Sequence, residues 1–170
     1  VRQWRNQIPI GLRTPFALTQ EMQARFYEQG VCDRCSPHRY WAVRDEERLL
    51  VGQVGLTDIS AENGNAEISL IIDPSLTRKG VGRESVRLVL AEAFDQLRLN
   101  AVYGEVYTAN PALGFWEKVV GELGGTGTTL PMRKYYNGRF VDSWYFTVTK
   151  AQWDARTEAT CHSRAMTYNR

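Results

Sequence analysis

The stretch "LTRKGVGRE", residues 76–84, sets two glycines one residue apart among three cationic side chains. It follows an apolar run and precedes a helical pattern, so Gly80 and Gly82 fall where a strand passes into a helix. The first backbone N–H groups of a helix have no intrahelical partner, and the helix dipole favours negative charge at that end. Glycine matters there because a Cβ would hold a ligand away from the backbone. Arg78, Lys79 and Arg83 add positive charge from the side. Together these residues predict the binding of a phosphate. The alternative is a glycine-rich turn with solvated charges, since G-x-G alone is a weak signal. Two well-known phosphate loops do not fit. A Walker loop needs Lys and Ser/Thr after its last glycine, where Arg83 and Glu84 stand. A Rossmann fingerprint needs Gly or Ala where Ser85 stands, and a strand that enters the loop directly, whereas "PSLTRK" intervenes.

A second cluster with chemical potential is "VCDRCSPH", in which Cys32 and Cys35 are followed by His38; Cys161 and His162 lie far downstream. A structural zinc needs four converging ligands, and one C-x-x-C without a second closely spaced pair does not supply them. Unbonded thiols in a loop are expected, and no metal.

The elements that must position the loop can be read from periodicity. Thr19 opens a helix that carries Met22 and Phe26 on one face, with Gly30 as its expected stop. Residues 39–60 read as two strands joined by the charged turn 45–48. Then "AEISLIID" alternates, with Glu67, Ser69 and Ile71 on one face and Ile68, Leu70 and Ile72 on the other. From Val81 the apolar positions Val86, Val89, Leu90, Ala93, Phe94 and Leu97 trace an amphipathic helix that stops near Asn100. "AVYGEVY" is a strand, and Asn110-Pro111 reads as an N-cap with Pro at the first helical position. After the glycine-rich 121–129, Asn137-Gly138 sits between aromatic-rich strands and predicts a hairpin. Thr149 with Gln152 predicts a capping box opening a last helix around Trp153. The order predicts a mixed α/β fold, with helices packed on a sheet and one domain over 1–170 ending in a helical tail from 150.

Composition sets the outer bounds. The chain has 170 residues, 43% hydrophobic and 24% charged, enough for a sizeable core, and its net charge of +2 provides no global field for nucleic acid or an anionic membrane. No apolar run reaches the length of a bilayer span, and the opening residues lack the apolar centre of a signal peptide. The expectation is a cytoplasmic protein with a local anion site.

"DPSLTRKGVGRESVRLVLAEAF", then a strand, then "NPALGFWEKV", resembles the GNAT superfamily of acetyl-CoA-dependent N-acetyltransferases. "GRFVDSWYFTVTKAQW" looks like the C-terminal hairpin of its RimJ/RimL-type branch. "WRN" at residues 4–6 and "LTQEMQARF" resemble the early helices of that branch and of amino-sugar N-acetyltransferases. The resemblance implies a mostly antiparallel central sheet flanked by helices, with acetyl-CoA as co-substrate. It assigns cofactor contacts to Ile71, Ile72, Thr77, Arg78, Lys79, Gly80, Val81, Gly82, Arg83, Asn110 and Trp116. It also implies direct attack of a primary amine on the thioester, with Glu67 as general base and Glu105 as second candidate. A main-chain N–H around Ile71 would polarise the carbonyl, and Tyr107 is the candidate acid, with Tyr135 or Tyr136 behind it.

Departures from the family pattern are equally specific. Thr77 takes the first loop position, usually Gln or Arg, and Trp116 stands where the family often carries a Tyr; an indole N–H is not a useful acid. These two residues leave a second class open, a catalytically inactive GNAT fold that binds CoA or a protein partner. If "WRN" closes the family's first helix, the family's first strand lies upstream of Val1 or is replaced by "IPIGLRT". The resemblance points to a peptide α-amine or an amino sugar as acceptor, with polyamines, antibiotics and modified nucleobases also open. Neither a membrane nor nucleic acid is expected as partner, and a homodimer is left open.

Overall fold

Alternating residue patterns build six strands, Arg39–Arg44 (β1), Leu50–Ser60 (β2), Asn65–Ile72 (β3), Ala101–Tyr107 (β4), Thr126–Tyr136 (β5) and Arg139–Thr149 (β6). They form one sheet of order β1-β2-β3-β4-β6-β5. Every neighbouring pair is antiparallel except β3 and β4. The helices are Arg2–Gln7 (α1), Gln20–Phe26 (α2), Val81–Ala91 (α3), Leu113–Glu122 (α4) and Lys150–Thr167 (α5). This computed structural model describes residues 1–12, 16–76 and 79–167, with side chains as far as 158.

The two faces of the sheet have different roles. Leu56, Ala66, Ile68, Val102, Phe146 and Val148 point to one side and pack with Val86, Leu90 and Phe94 from the α3 stretch and with Val119 and Val120 of α4. Burying a side chain such as Leu56, Leu90 or Phe94 contributes about 1.5–3 kcal/mol, so this side holds the molecule together. On the other side Tyr103, Glu105 and Tyr107 alternate with the buried Val102, Gly104 and Val106 of β4 and remain half-exposed. There α1 contacts β3, and Phe26 of α2 meets the Tyr40 ring edge-to-face at 5.1 Å. Asn6 joins α1 to the approach of α2. Its Oδ1 accepts the Leu18 N–H at 2.9 Å, and its Nδ2 donates to the Leu18 carbonyl at 3.0 Å.

Several expected boundaries move. Gly30 is not a stop: it is buried against Phe26, and the chain continues as a π-helical turn, Tyr27–Cys32. The glycine-rich link is shorter than expected, because β5 begins at Thr126. Within it Gly127 lies where a Cβ would meet Trp144 at 2.3 Å, so glycine there makes room for a cross-strand indole rather than a loop. Asn110 does not cap α4. Its Oδ1 accepts the Ala112 N–H at 2.9 Å, which forms a turn before the helix, and α4 starts at Leu113. Instead of a substitute strand, Pro9–Gly11 forms a 3-10 turn, while Arg13 and Thr14 of that stretch lie outside the described residues. The capping box holds in both directions: Thr149 N–H donates to Gln152 Oε1 at 2.9 Å and Gln152 N–H to Thr149 Oγ1 at 3.3 Å. Asn137 and Gly138, with φ of 50° and 79°, make the hairpin turn.

Candidate active site

The parallel pair β3 and β4 opens a gap in the sheet. Their pairing covers only Asn65–Glu67 on one strand and Ala101–Tyr103 on the other. Beyond it, β3 stays paired to β2 as far as Ile72, and β4 to β6 as far as Tyr107. Amides of a strand point alternately to its two neighbours, so every second amide beyond this pairing faces the gap. Of the neighbours Ile71 and Ile72, one presents its N–H to the gap and the other to β2.

The glycine loop stands at one end of this gap. Gly80 is the N-cap of α3 at φ 81°, a left-handed conformation that costs other residues about 1–2 kcal/mol, and no side chain caps the helix. The first intrahelical bond runs from Glu84 N–H to Gly80 O at 3.1 Å, so the amides of Val81, Gly82 and Arg83 precede the helical ladder. A Cβ on Gly82 would come no nearer to protein than 3.4 Å, from Phe115, with Leu70 at 3.6 Å. The protein therefore has room for a methyl group at Gly82. These features fit a pyrophosphate.

Other predicted cofactor residues are placed differently. Lys79 is exposed beside the loop; Thr77 and Arg78 lie outside the described residues. The Arg83 guanidinium, in the first turn of α3, pairs on the surface with Glu122 at the end of α4 at 2.8 Å. Asn110 shapes the turn after β4: its N–H donates to Tyr107 O at 2.8 Å and its carbonyl accepts Leu113 N–H at 3.0 Å. Trp116 is half-buried and stacks on Phe146 at 5.0 Å between the ring centroids, a core contact of α4 against β6. Phe115, one residue earlier and not singled out in the sequence, is the aromatic beside Gly82. The pattern "GFWEKV" could have signalled it only with the helical phase of α4 in hand.

The other face of the sheet gathers the candidate acid–base groups. Glu67 stands opposite Thr57 of β2 and Tyr103 of β4, at the last pair before the gap opens. Tyr103 stacks on Tyr145 at 5.6 Å. The Tyr40 phenol is pushed above the ordinary tyrosine range, first by burial and then by the charges of Asp58 and Glu67, with Arg5 acting in the opposite direction. The Glu105 side chain is 15% exposed, and one carboxylate oxygen accepts from Ser143 Oγ at 2.5 Å and from Arg133 Nε at 3.1 Å. Tyr107 lies beneath the Lys134 ammonium, 4.9 Å from its ring centroid, and Lys134 also donates to the Leu12 carbonyl. Of the reserve candidates for the acid, Tyr135 is exposed and packs edge-to-face on Phe140 at 5.3 Å.

Away from this face, Cys32 and Cys35 are exposed free thiols, and no group of three or more His, Cys, Asp or Glu among the described residues could hold a metal ion. The side chains of Cys161 and His162 lie outside the described residues. Among those described, no helix is long and apolar enough to cross a membrane.

Residues 1–115 match the acetyltransferase (GNAT) domain family. The chain belongs to this family. It is an acetyl-CoA-dependent N-acetyltransferase. A relative from Vibrio cholerae serotype O1, spermidine N(1)-acetyltransferase, is 26% identical over 156 residues, which cover 91% of this chain and 86% of the relative. Among solved structures, a mutant form of the spermidine/spermine N-acetyltransferase SpeG from Vibrio cholerae aligns with a TM-score of 0.77 at 22% identity, covering 92% of this chain and 90% of that one. The spermidine N-acetyltransferase of Vibrio cholerae in complex with CoA and spermine aligns at 0.77 and 23% identity over 89% of each chain. The fold is thus that of the GNAT enzymes. These relatives are spermidine N-acetyltransferases and not the RimJ/RimL branch that the C-terminal hairpin resembles.

Proposed function

We propose that this GNAT enzyme acetylates a polyamine, with the acceptor held on the face of the sheet that carries Glu67. The observation that carries this reading is the spermidine N(1)-acetyltransferase that matches 91% of the chain. The chemistry of the face agrees with it. Glu67 and Asp58 supply negative charge near Tyr40, and Tyr40, Tyr103 and Tyr145 supply ring faces that attract ammonium groups. A peptide or an amino sugar would ask for hydrogen-bonding partners specific to its backbone or hydroxyls, which a polyamine lacks.

In the proposed mechanism, acetyl-CoA supplies the activated acyl group. Amides of residues 80–83 and the Lys79 side chain hold its pyrophosphate; the family resemblance adds Thr77 and Arg78. Glu67 takes the proton from the acceptor ammonium, through water or directly, so that the nitrogen lone pair can attack the thioester carbonyl. A main-chain N–H near Ile71 donates to the carbonyl oxygen as negative charge builds there. As the C–S bond breaks, Tyr107 gives its phenol proton to the departing sulfur and is reprotonated by the second proton that the nitrogen sheds as the amide forms. The test is thiol release from acetyl-CoA with spermidine as acceptor, with the product mass determined. The reading expects spermidine-dependent thiol release and a singly acetylated product. Thiol release with peptide or amino-sugar acceptors but none with spermidine would overturn it.

A further inference from the structure

The β5–β6 ladder is irregular just where it overlooks the acceptor face. Leu130 pairs with Ser143 and Lys134 with Val141, so Pro131, Met132 and Arg133 oppose Asp142 alone. Met132 adopts φ 54°, and its N–H donates to Asp142 Oδ1 at 2.9 Å. Bulges of this kind re-aim side chains. Here Arg133 reaches across β6 to Glu105, and Lys134 keeps the face of its neighbours Val141 and Ser143 and arrives over Tyr107.

The ammonium of Lys134 is held from two sides. It donates to the carbonyl of Leu12, a buried residue that follows the Pro9–Gly11 turn, and it lies over the Tyr107 ring. A ring face of tyrosine is one of the few groups on this side that would attract an ammonium group of the acceptor. At Tyr107 that position is filled by the protein's own cation, while the neighbouring Arg133 is paired with Glu105. The opposite end of the face, around Tyr40, has Asp58 and Glu67 against Arg5. The face is therefore polarised along its length.

We propose that Lys134 is a specificity-determining residue, an internal cation that takes the Tyr107 ring face and keeps the distal ammonium of a polycationic acceptor away from that end of the face. This rests on the reading that an amine acceptor binds on the Glu67 face. Like charges juxtaposed in a binding site act against the wrong partner or the wrong orientation more than they add affinity. Lys134 thus selects among amines by what they carry beyond the reacting nitrogen.

The test compares kcat/KM for 1,4-diaminobutane and butylamine, which differ by one ammonium group, in wild type and three variants. Lys134→Met removes charge and donor; Lys134→Gln removes charge and keeps a donor for Leu12, which covers the case in which Met at this position does not fold; Lys134→Arg keeps both. The expected result is a diamine-to-monoamine ratio raised about tenfold in the Met and Gln variants, the size of one partly desolvated cation–ring contact, and unchanged in the Arg variant. A ratio within about twofold of wild type in the uncharged variants would overturn the proposal, because a structural tie to Leu12 alone lowers both substrates equally. Failure of the polyamine reading has a different signature. Wild type would then acetylate butylamine or an amino sugar and neither spermidine nor diaminobutane, and the proposal on Lys134 would be decided by whether the Gln variant gains activity on the diamine.

Discussion

Glu67 and Glu105 have the same side chain and adjacent strands, and they differ in what surrounds them. Glu105 is enclosed by Ser143 and Arg133, whereas Glu67 sits at the pair where β3 and β4 part. A base must reach the proton it removes, and the gap lies beside Glu67. Glu67→Gln is expected to lower kcat by about 10²- to 10⁴-fold with acetyl-CoA binding little changed. The residual activity should recover as pH rises, because a growing share of the acceptor is already deprotonated. Steady-state rates between neutral and alkaline pH check this, and a wild-type kcat at neutral pH would assign the proton to another group. Glu105→Gln is expected to act on the acceptor KM, by releasing Arg133 into the acceptor face. Its sign follows from charge: one more unpaired cation there weakens a cationic acceptor. Trp116 belongs to the core at this scale, and its replacement by Ala should be read in melting temperature, with a loss of about 3–5 kcal/mol for a fully buried Trp as the upper bound.

Among the elements, the strand-to-helix transition at residues 80–83 makes the sharpest prediction, because its two glycines serve different needs. Gly82→Ala places a methyl group at an ordinary contact distance from Phe115, and Ala is the better helix former by about 0.5–1 kcal/mol. The variant should be as stable as wild type or more so, and acetyl-CoA binding at least about tenfold weaker is the outcome that close approach of a pyrophosphate to this backbone predicts. Thermal melts with and without acetyl-CoA separate the two effects. Gly80→Ala should instead lose about 1–2 kcal/mol without ligand, from its left-handed backbone.

This loop was legible in sequence because glycine spacing, the preceding strand and the following helical stripe all lie within one local window. The same holds for the Asn137-Gly138 turn and the capping box at Thr149, where the signal and the structure that satisfies it are a few residues apart. What the sequence left out depends on distant partners. The pairing of Arg83 with Glu122, on another helix, has no signal near Arg83 in the chain. Gly127 reads as a loop glycine until Trp144 covers it, and the β5 bulge has no local signature that would aim Lys134 at Tyr107. Asn6 in "WRN" carried family resemblance, and its clamp on Leu18 supplies the physical role.

At the scale of the whole molecule, the proposed mechanism uses the gap between two parallel strands in an otherwise antiparallel sheet to join the two substrates. In that mechanism the α3 N-terminus holds the pyrophosphate on one side and Glu67 stands on the other, so a thioester in the gap is open to attack from the Glu67 side. Ligand that binds only the folded chain stabilises it by mass action, and acetyl-CoA at a hundred times its dissociation constant should contribute about 2.7 kcal/mol. Absence of any thermal shift would remove the pyrophosphate site from the account. The acceptor is the larger claim, and competition in one vessel tests it most directly. Spermidine, a peptide with a free N-terminus and glucosamine, at equal low concentrations, share limiting acetyl-CoA, and the acetylated products are counted by mass spectrometry. Their ratio gives the ratio of kcat/KM. Acetylspermidine in large excess is the predicted result, and a majority of acetylated peptide or acetylated glucosamine would contradict the account.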